Sequence, residues 1–349
     1  MKIIIIGDIH VDVDFFAEQA VQLQWGEAPE ITKVIWKQNS KEEFQYMTSI
    51  IEKNGPDSVE YPKILDQEVE DADIILTHFC PLPANLLKKA KKLRLIGTCR
   101  GGLEHIAVEE ASKRNIPVIN SIRNAEPVAD FTIGLMYAET RNIARCHEQI
   151  KGGNWPKSFD NSSYTANLSE KKVGIIGFGN IGKLVAERLV ALGVEILVYD
   201  AYMTNENIKE SQPKAIPVSL DELYRESDII SVHVRFEKGM PPLINKAAFE
   251  KMKPNCTLIN TSRAYAVDED ALIDALQTKK IAGAALDVFS SEPIPMGHPL
   301  LTAENVTLTS HIGGDTVAAI PMSPKVLMKN ISEFIKNNDS LITVPVTAR

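Results

Sequence analysis

Residues Lys172–Asp200 read KVGIIGFGNIGKLVAERLVALGVEILVYD. Val173, Ile175 and Ile176 form a short apolar run of strand type, and Gly177, Gly179 and Gly182 follow as G-x-G-x-x-G. A helical pattern is predicted from Ile181 to about Leu192, stopping at Gly193. A second apolar run, Val194–Tyr199, ends on Asp200. Strand, glycine turn, helix, strand and acid occur in the order of a dinucleotide-binding unit. Gly177 permits the tight turn, Gly179 lets the backbone approach a pyrophosphate, and Gly182 lets the helix pack near the strand. The free N–H groups at the helix start receive the phosphate charge. Phe178, Asn180 and Ile181 fall in the same turn and are cofactor-binding candidates. Asp200 lies 18 residues after Gly182. There a carboxylate can accept both adenosine ribose hydroxyls and repel a 2′-phosphate, so NAD is expected over NADP.

A chain of 349 residues is long for one core, which makes two domains the expectation. Hydrophobic content of 44% and charged content of 24% are ordinary for a globular protein. A net charge of −8 argues against a nucleic-acid surface. Cys80, Cys99, Cys146 and Cys256 are scattered without a C-x-x-C pair, which suits free thiols in a reducing cytoplasm, and no metal site is expected. No apolar run approaches a membrane span. The opening MKIIIIGDIH reads as a buried strand rather than a signal peptide.

Outward from the glycine unit, both flanks alternate strand and helix patterns. Before it, strands are predicted at Ile3–Ile6, Ile31–Trp36, Asp73–Thr77, Leu93–Thr98 and Ile116–Asn120. Helices are predicted at Val11–Leu23, Lys41–Lys53, Ala84–Lys91 and Val108–Arg114. Asn124–Ile150 reads as one long amphipathic helix. After Asp200, strands at Asp228–Val234, Cys256–Asn260, Ala282–Val288 and Val306–Thr309 bring this half to about six. Thr316–Asn337 is a helical tail that could return to the first domain. Such alternation implies parallel sheets covered on both faces, an α/β protein.

Ligands on such sheets bind at the carboxyl ends of the strands. In the first half these ends carry His78, in THFCPLP, and Arg100, Gly101 and Gly102, in CRGGLEH. Each could touch a ligand. The plainer alternatives are a packed or capping histidine and a surface ion pair. In the second half, Arg263, Glu292 and His311 each follow a strand. Singly they could be an ion-paired arginine, a surface acid and a capping histidine. Together they supply what hydride transfer from a hydroxy acid requires. Neutral histidine takes the hydroxyl proton, a carboxylate on its other nitrogen fixes the tautomer, and an arginine fork binds the substrate carboxylate. Asp287 could accept a hydrogen bond from a nicotinamide carboxamide, or could simply cap a loop.

With these residues in place, the chain resembles the D-isomer-specific 2-hydroxyacid dehydrogenases. The stretches NAEPVADFTIGLM, VGIIGFGNIG, KMKPNCTLINTSRAYAVDEDALIDAL, AGAALDVFSSEP and NVTLTSHIGG occur in the family's order. The resemblance implies Arg263, Glu292 and His311 as the catalytic set, and Asn124 beside the substrate. Asp200, His233, Thr261, Asp287 and Gly313 would lie near NAD. It implies a Rossmann NAD-binding domain, residues 124–313, inserted into a flavodoxin-like substrate domain of residues 1–123 and 314–349. A homodimer through the NAD-binding domain is also implied, as is the phosphoglycerate dehydrogenase-like branch without a regulatory domain. Differences from the family pattern are Ala264 after Arg263, Arg235 in the His233–Phe236 stretch, Ser310 before His311, and Phe79 where phosphoglycerate enzymes carry arginine. The expected activity is that of an NAD-dependent 2-keto acid reductase. The alternatives are D-3-phosphoglycerate dehydrogenase, with Arg100 and Arg123 for the phosphate, and an NAD(H)-sensing binding protein.

Overall fold

The structure is a computed structural model and describes residues 1–26, 28–236 and 239–337. The chain forms two compact units. One comprises Met1–Arg123 and the segment from Thr316 onward; the other is Asn124–Asp315.

The first unit is built on five parallel strands: β1 (Lys2–Gly7), β2 (Glu30–Ile35), β3 (Ile74–Thr77), β4 (Leu95–Thr98) and β5 (Val118–Asn120). Their order is β2-β1-β3-β4-β5, the flavodoxin arrangement. The apolar run Ile3–Ile6 is buried on both faces, and alternate residues serve different cores. Ile4 and Ile6 join Phe44, Ile51, Leu65 and Leu86, whereas Ile3 and Ile5 join Phe16, Leu327 and Ile331. Each such side chain contributes about 1.5–3 kcal/mol by leaving water. Ser40 accepts from the Glu43 amide at 3.2 Å and starts the helix Lys41–Asn54. The C-terminal helix, Ser323–Asn337, covers the face that carries Ile3 and Ile5.

The second unit holds seven parallel strands: β6 (Lys172–Ile176), β7 (Glu195–Tyr199), β8 (Ile216–Pro217), β9 (Ile229–Val232), β10 (Thr257–Asn260), β11 (Gly283–Leu286) and β12 (Val306–Leu308). The order is β12-β11-β10-β9-β6-β7-β8, the doubly wound dinucleotide arrangement with one strand added. Val173, Ile175, Ile229 and Ile259 face one core, while Ile176, Ile230, Val232 and Leu258 face the other.

Three sequence expectations are corrected. The sheet has seven strands rather than six, because the two-residue edge strand β8 is too short to show a period. The long helix is two, Ala125–Thr140 and Ile143–Lys151, broken where Asn142 turns left-handed at φ 56°. Asparagine is among the few residues that take this conformation readily. The tail helix begins at Ser323 rather than Thr316.

Candidate active site

β6 ends at Ile176, and the glycine turn feeds the helix Asn180–Ala191. Gly177 has φ 94°, and a Cβ on it would meet the His233 carbonyl oxygen at 2.5 Å, so the turn packs against the end of β9. A Cβ on Gly182 would stand 2.1 Å from the Gly177 carbonyl oxygen. A Cβ on Gly179 would meet nothing within 4 Å. The turn is therefore shut on its strand side and open at its middle glycine, beside the first amides of a twelve-residue helix. That is a cradle for a pyrophosphate.

At the end of β7 the Asp200 carboxylate is already positioned. It accepts from the Phe178 amide at 2.7 Å on Oδ2, and from the Tyr202 and Met203 amides at 2.8 and 3.1 Å on Oδ1. Oδ2 keeps a further lone pair for a ribose hydroxyl, whereas Oδ1 already accepts two bonds. The chain thus fits NAD at both phosphate and ribose positions. His233 bonds Ser231 Oγ through Nε2 at 2.8 Å, and burial pushes its pKa down to about 3, so the ring is neutral.

Three adjacent strands, β10, β11 and β12, end on the same edge of this sheet and carry the expected trio. His311 and Glu292 are brought together, with Nδ1 to Oε2 at 2.8 Å. Oε1 of Glu292 accepts from the Phe289 amide at 3.0 Å. Partial burial pulls the Glu292 carboxyl upward, but the bonds from His311 and Phe289 outweigh it and hold it below the usual carboxylate range. An ionised carboxylate only accepts, so the proton sits on Nδ1 and the neutral ring presents a bare Nε2. Nε2 has no hydrogen-bond partner among the described residues, and the His311 side chain is 52% exposed. Arg263 is exposed after β10, with a side-chain bond from Nη1 to the Ser262 carbonyl at 2.7 Å and, among the described residues, no hydrogen bond or ion pair to His311 or Glu292.

Two residues hold these loops. Asn260, 1% exposed, donates to the Arg263 carbonyl at 3.0 Å and accepts from the Ser262 amide and hydroxyl. The sequence reading did not single it out, and its place as the last residue of β10 was the available signal. Asp287, 2% exposed, accepts from Thr309 Oγ1 (2.6 Å), the Ile312 amide (3.0 Å) and the Gly313 amide (2.8 Å). It thereby brackets His311, which has φ 59°. These bonds match the loop-capping alternative for Asp287. Thr261 lies buried with its hydroxyl on Thr132 Oγ1 at 2.9 Å. Asn124 begins the helix Ala125–Thr140 and packs against Gly314, where a Cβ would meet its Nδ2 at 3.3 Å.

In the first unit, the plainer alternatives for His78 and Arg100 match their surroundings. His78 is 1% exposed and bonded through Nδ1 to Asp8 Oδ2 at 2.7 Å. Arg100 pairs with Glu52 at 2.7 Å and lies 4.3 Å over the Phe79 ring. Around Gly101 a Cβ would meet nothing within 4 Å, whereas at Gly102 it would strike the Glu104 carboxylate.

A family model described as "D-isomer specific 2-hydroxyacid dehydrogenase, NAD binding domain" matches residues 133–313. The chain is 36% identical over 273 residues to a glyoxylate reductase of Thermofilum pendens, covering 77% of this chain and 80% of that one. It is 34% identical over 284 residues to a hydroxypyruvate reductase of Thermotoga maritima, covering 80% and 87%. In fold it is similar to a D-lactate dehydrogenase from Lactobacillus jensenii, with a TM-score of 0.67, 24% identity and full coverage of both chains.

Proposed function

The chain belongs to the D-isomer specific 2-hydroxyacid dehydrogenase family, an NAD-dependent oxidoreductase acting on CH–OH groups, and from that premise we propose how its residues divide the work. When bound, NAD supplies the acceptor for the hydride that leaves the hydroxyl-bearing carbon. His311 is the acid–base residue: Nε2 takes the hydroxyl proton during oxidation and returns it to the carbonyl oxygen during reduction. Glu292 holds the tautomer and stabilises the imidazolium that forms. Arg263 binds the substrate carboxylate with a guanidinium fork not spent on another charge. Asp287 and Asn260 act behind this set by fixing the loops. The glycine turn, Asp200 and the His233 strand end bind the cofactor.

We assign Arg100, Gly101, Gly102 and Asn124 to substrate recognition, with His78 supporting them from behind. The names of the two relatives point to small 2-oxo acids such as glyoxylate and hydroxypyruvate. A cytoplasmic homodimer joined through the NAD-binding unit completes the proposal. Free cysteines support the reducing compartment. Ile143 (56% exposed), Ile150 (44%) and Trp155 (74%) support an apolar contact on the NAD-binding unit. Among the described residues no helix is long and apolar enough to cross a membrane.

The observation that carries the mechanism is the His311–Glu292 bond, with Nε2 left free on a solvent-reaching ring. The test is NADH oxidation across a panel of 2-oxo acids. His311→Ala is expected to lower kcat by roughly 100- to 10,000-fold while NADH still binds. Equal turnover in the variant would remove His311 from the chemistry.

A further inference from the structure

Glu292 stands on a loop whose own residues do little to fix it. Phe289 packs on the core and Leu300 is 1% exposed, but residues 290–293 and 295–297 between them are exposed. A carboxylate that sets a histidine tautomer must be held still, since a displacement of about 1 Å can cost roughly 100-fold in rate. The bond from the Phe289 amide to Glu292 lies within the loop and ties it to no other element.

A carboxylate on the neighbouring connection does tie it. Glu269 is the first residue of the helix Glu269–Gln277, on the connection from β10 that also carries Arg263. Its Oε1 accepts from the Ser290 hydroxyl at 2.6 Å, and its Oε2 lies 3.5 Å from the Ser290 amide nitrogen. At the other end of the loop, His298 Nε2 is 3.5 Å from Glu269 Oε1. His298 Nδ1 accepts from the Leu300 amide at 3.4 Å, so the ring proton sits on Nε2, the nitrogen nearest Glu269. One carboxylate thus meets donors on both sides of Glu292, Ser290 before it and His298 after it. The Tyr265 hydroxyl, 3.5 Å from the Ser290 carbonyl, joins the same two connections. The Glu269 and His298 side chains are 28% and 19% exposed, against 38% and 52% for Glu292 and His311. The contact behind the acid–base pair is therefore better shielded from water than the pair itself, which strengthens its hydrogen bonds.

We propose that Glu269 is a positioning residue for the acid–base pair: it clasps both ends of the loop after β11 and sets the Glu292 carboxylate against His311. Ser290 and His298 are its two anchor points. This deepens the dehydrogenase reading and rests on it, and the test separates the two.

Kinetics with NADH and the 2-oxo acid panel, together with histidine 15N NMR spectra, test the clasp on the intact chain. Glu269→Ala is expected to lower kcat by about 10- to 100-fold, while KM for the oxo acid and the Kd of NADH stay near wild type. Glu269→Gln keeps an acceptor for the Ser290 hydroxyl and should recover part of the loss. Because Glu269 acts through Glu292, Glu269→Ala should cost little more in a Glu292→Gln background. In the spectra His311 is identified by the signal missing from His311→Ala. It should carry its proton on Nδ1 in the wild type and shift toward Nε2 in Glu269→Ala. An unchanged kcat in Glu269→Ala overturns the proposal. So does an equal further loss in the Glu292→Gln background, or a Kd for NADH weakened as much as kcat. If Glu269→Ala does not fold, Ser290→Ala, which removes the 2.6 Å bond, takes its place in each comparison. If the wild type turns over none of the panel, the dehydrogenase reading fails. The His311 tautomer then decides the clasp alone, and the same tautomer in wild type and variant overturns it.

Discussion

At the scale of single residues, placement relative to a strand end decides chemistry. Asp200 is oriented by three amides, and in the proposed cofactor site its negative charge would oppose a 2′-phosphate. Asp200→Ala should therefore weaken NADH binding and admit NADPH, lowering the NADH-to-NADPH ratio of kcat/KM at least about tenfold, one charge contact's worth. Steady-state kinetics with both cofactors measure this, and an unchanged ratio would show that selectivity lies elsewhere. Residues of this kind were legible because a fixed spacing joins them to a local motif. His311 and Glu292 were legible as strand-end residues, but not as bonded partners, because two different loops must fold before they meet. His78 shows the converse. Its position after β3 suggested ligand contact, while the fold closes Phe44 and Phe79 around it. No local pattern distinguishes a strand-end histidine that faces solvent from one that folds inward onto Asp8.

At the scale of elements, the loop after β12 depends on the end of β11. Thr309 Oγ1 and the Ile312 and Gly313 amides converge on Asp287, so one buried carboxylate sets the path of the segment that contains His311. Asp287→Asn cannot accept all three bonds. It should lower kcat by about 10- to 100-fold and stability by roughly 1.5–3 kcal/mol, the range for a bond to a charged group, while NADH affinity stays near wild type. Titrating NADH against the variant tests this. A Kd weakened as much as kcat would instead place Asp287 against the nicotinamide. The elements themselves were largely readable from periodicity: the helices Lys41–Asn54 and Val108–Lys113 end within one residue of the expected bounds. Where reading failed, at Asn142 and at β8, the deciding factor was a single dihedral angle or a pairing only two residues long. Neither leaves a period in the sequence.

At the scale of the whole molecule, two parallel sheets each bury both faces, and buried polar groups go with them. His105 is wholly buried, bonded to Thr98 through Nε2 at 2.8 Å, and burial lowers its pKa to about 3. An unfolded chain takes up that proton near pH 6.5, whereas the folded protein does so only near 3. The stabilisation is thus complete above pH 6.5 and is lost as pH falls toward 3, by about 1.4 kcal/mol per pH unit. Denaturant titrations of wild type and His105→Asn between pH 7 and 5 should differ in slope by about one proton. Parallel slopes would mean that His105 is charged in the folded protein. The parallel α/β class was legible because runs such as Ile3–Ile6 and Ile74–Leu76 are apolar on both faces. The burial of particular histidines was not legible, because it depends on contacts far apart in the chain.

The face of the first sheet that carries Ile3 and Ile5 is completed by Leu327, Met328 and Ile331 of the C-terminal helix. During synthesis the opening strands leave the ribosome first and their covering helix last, with all of Asn124–Asp315 translated in between. At roughly 5–20 residues per second, that interval is on the order of tens of seconds. The inserted unit can thus reach its native state while the unit that encloses it in sequence is still half made. For that interval the isoleucine surface of the opening strand lacks the helix that covers it in the folded unit.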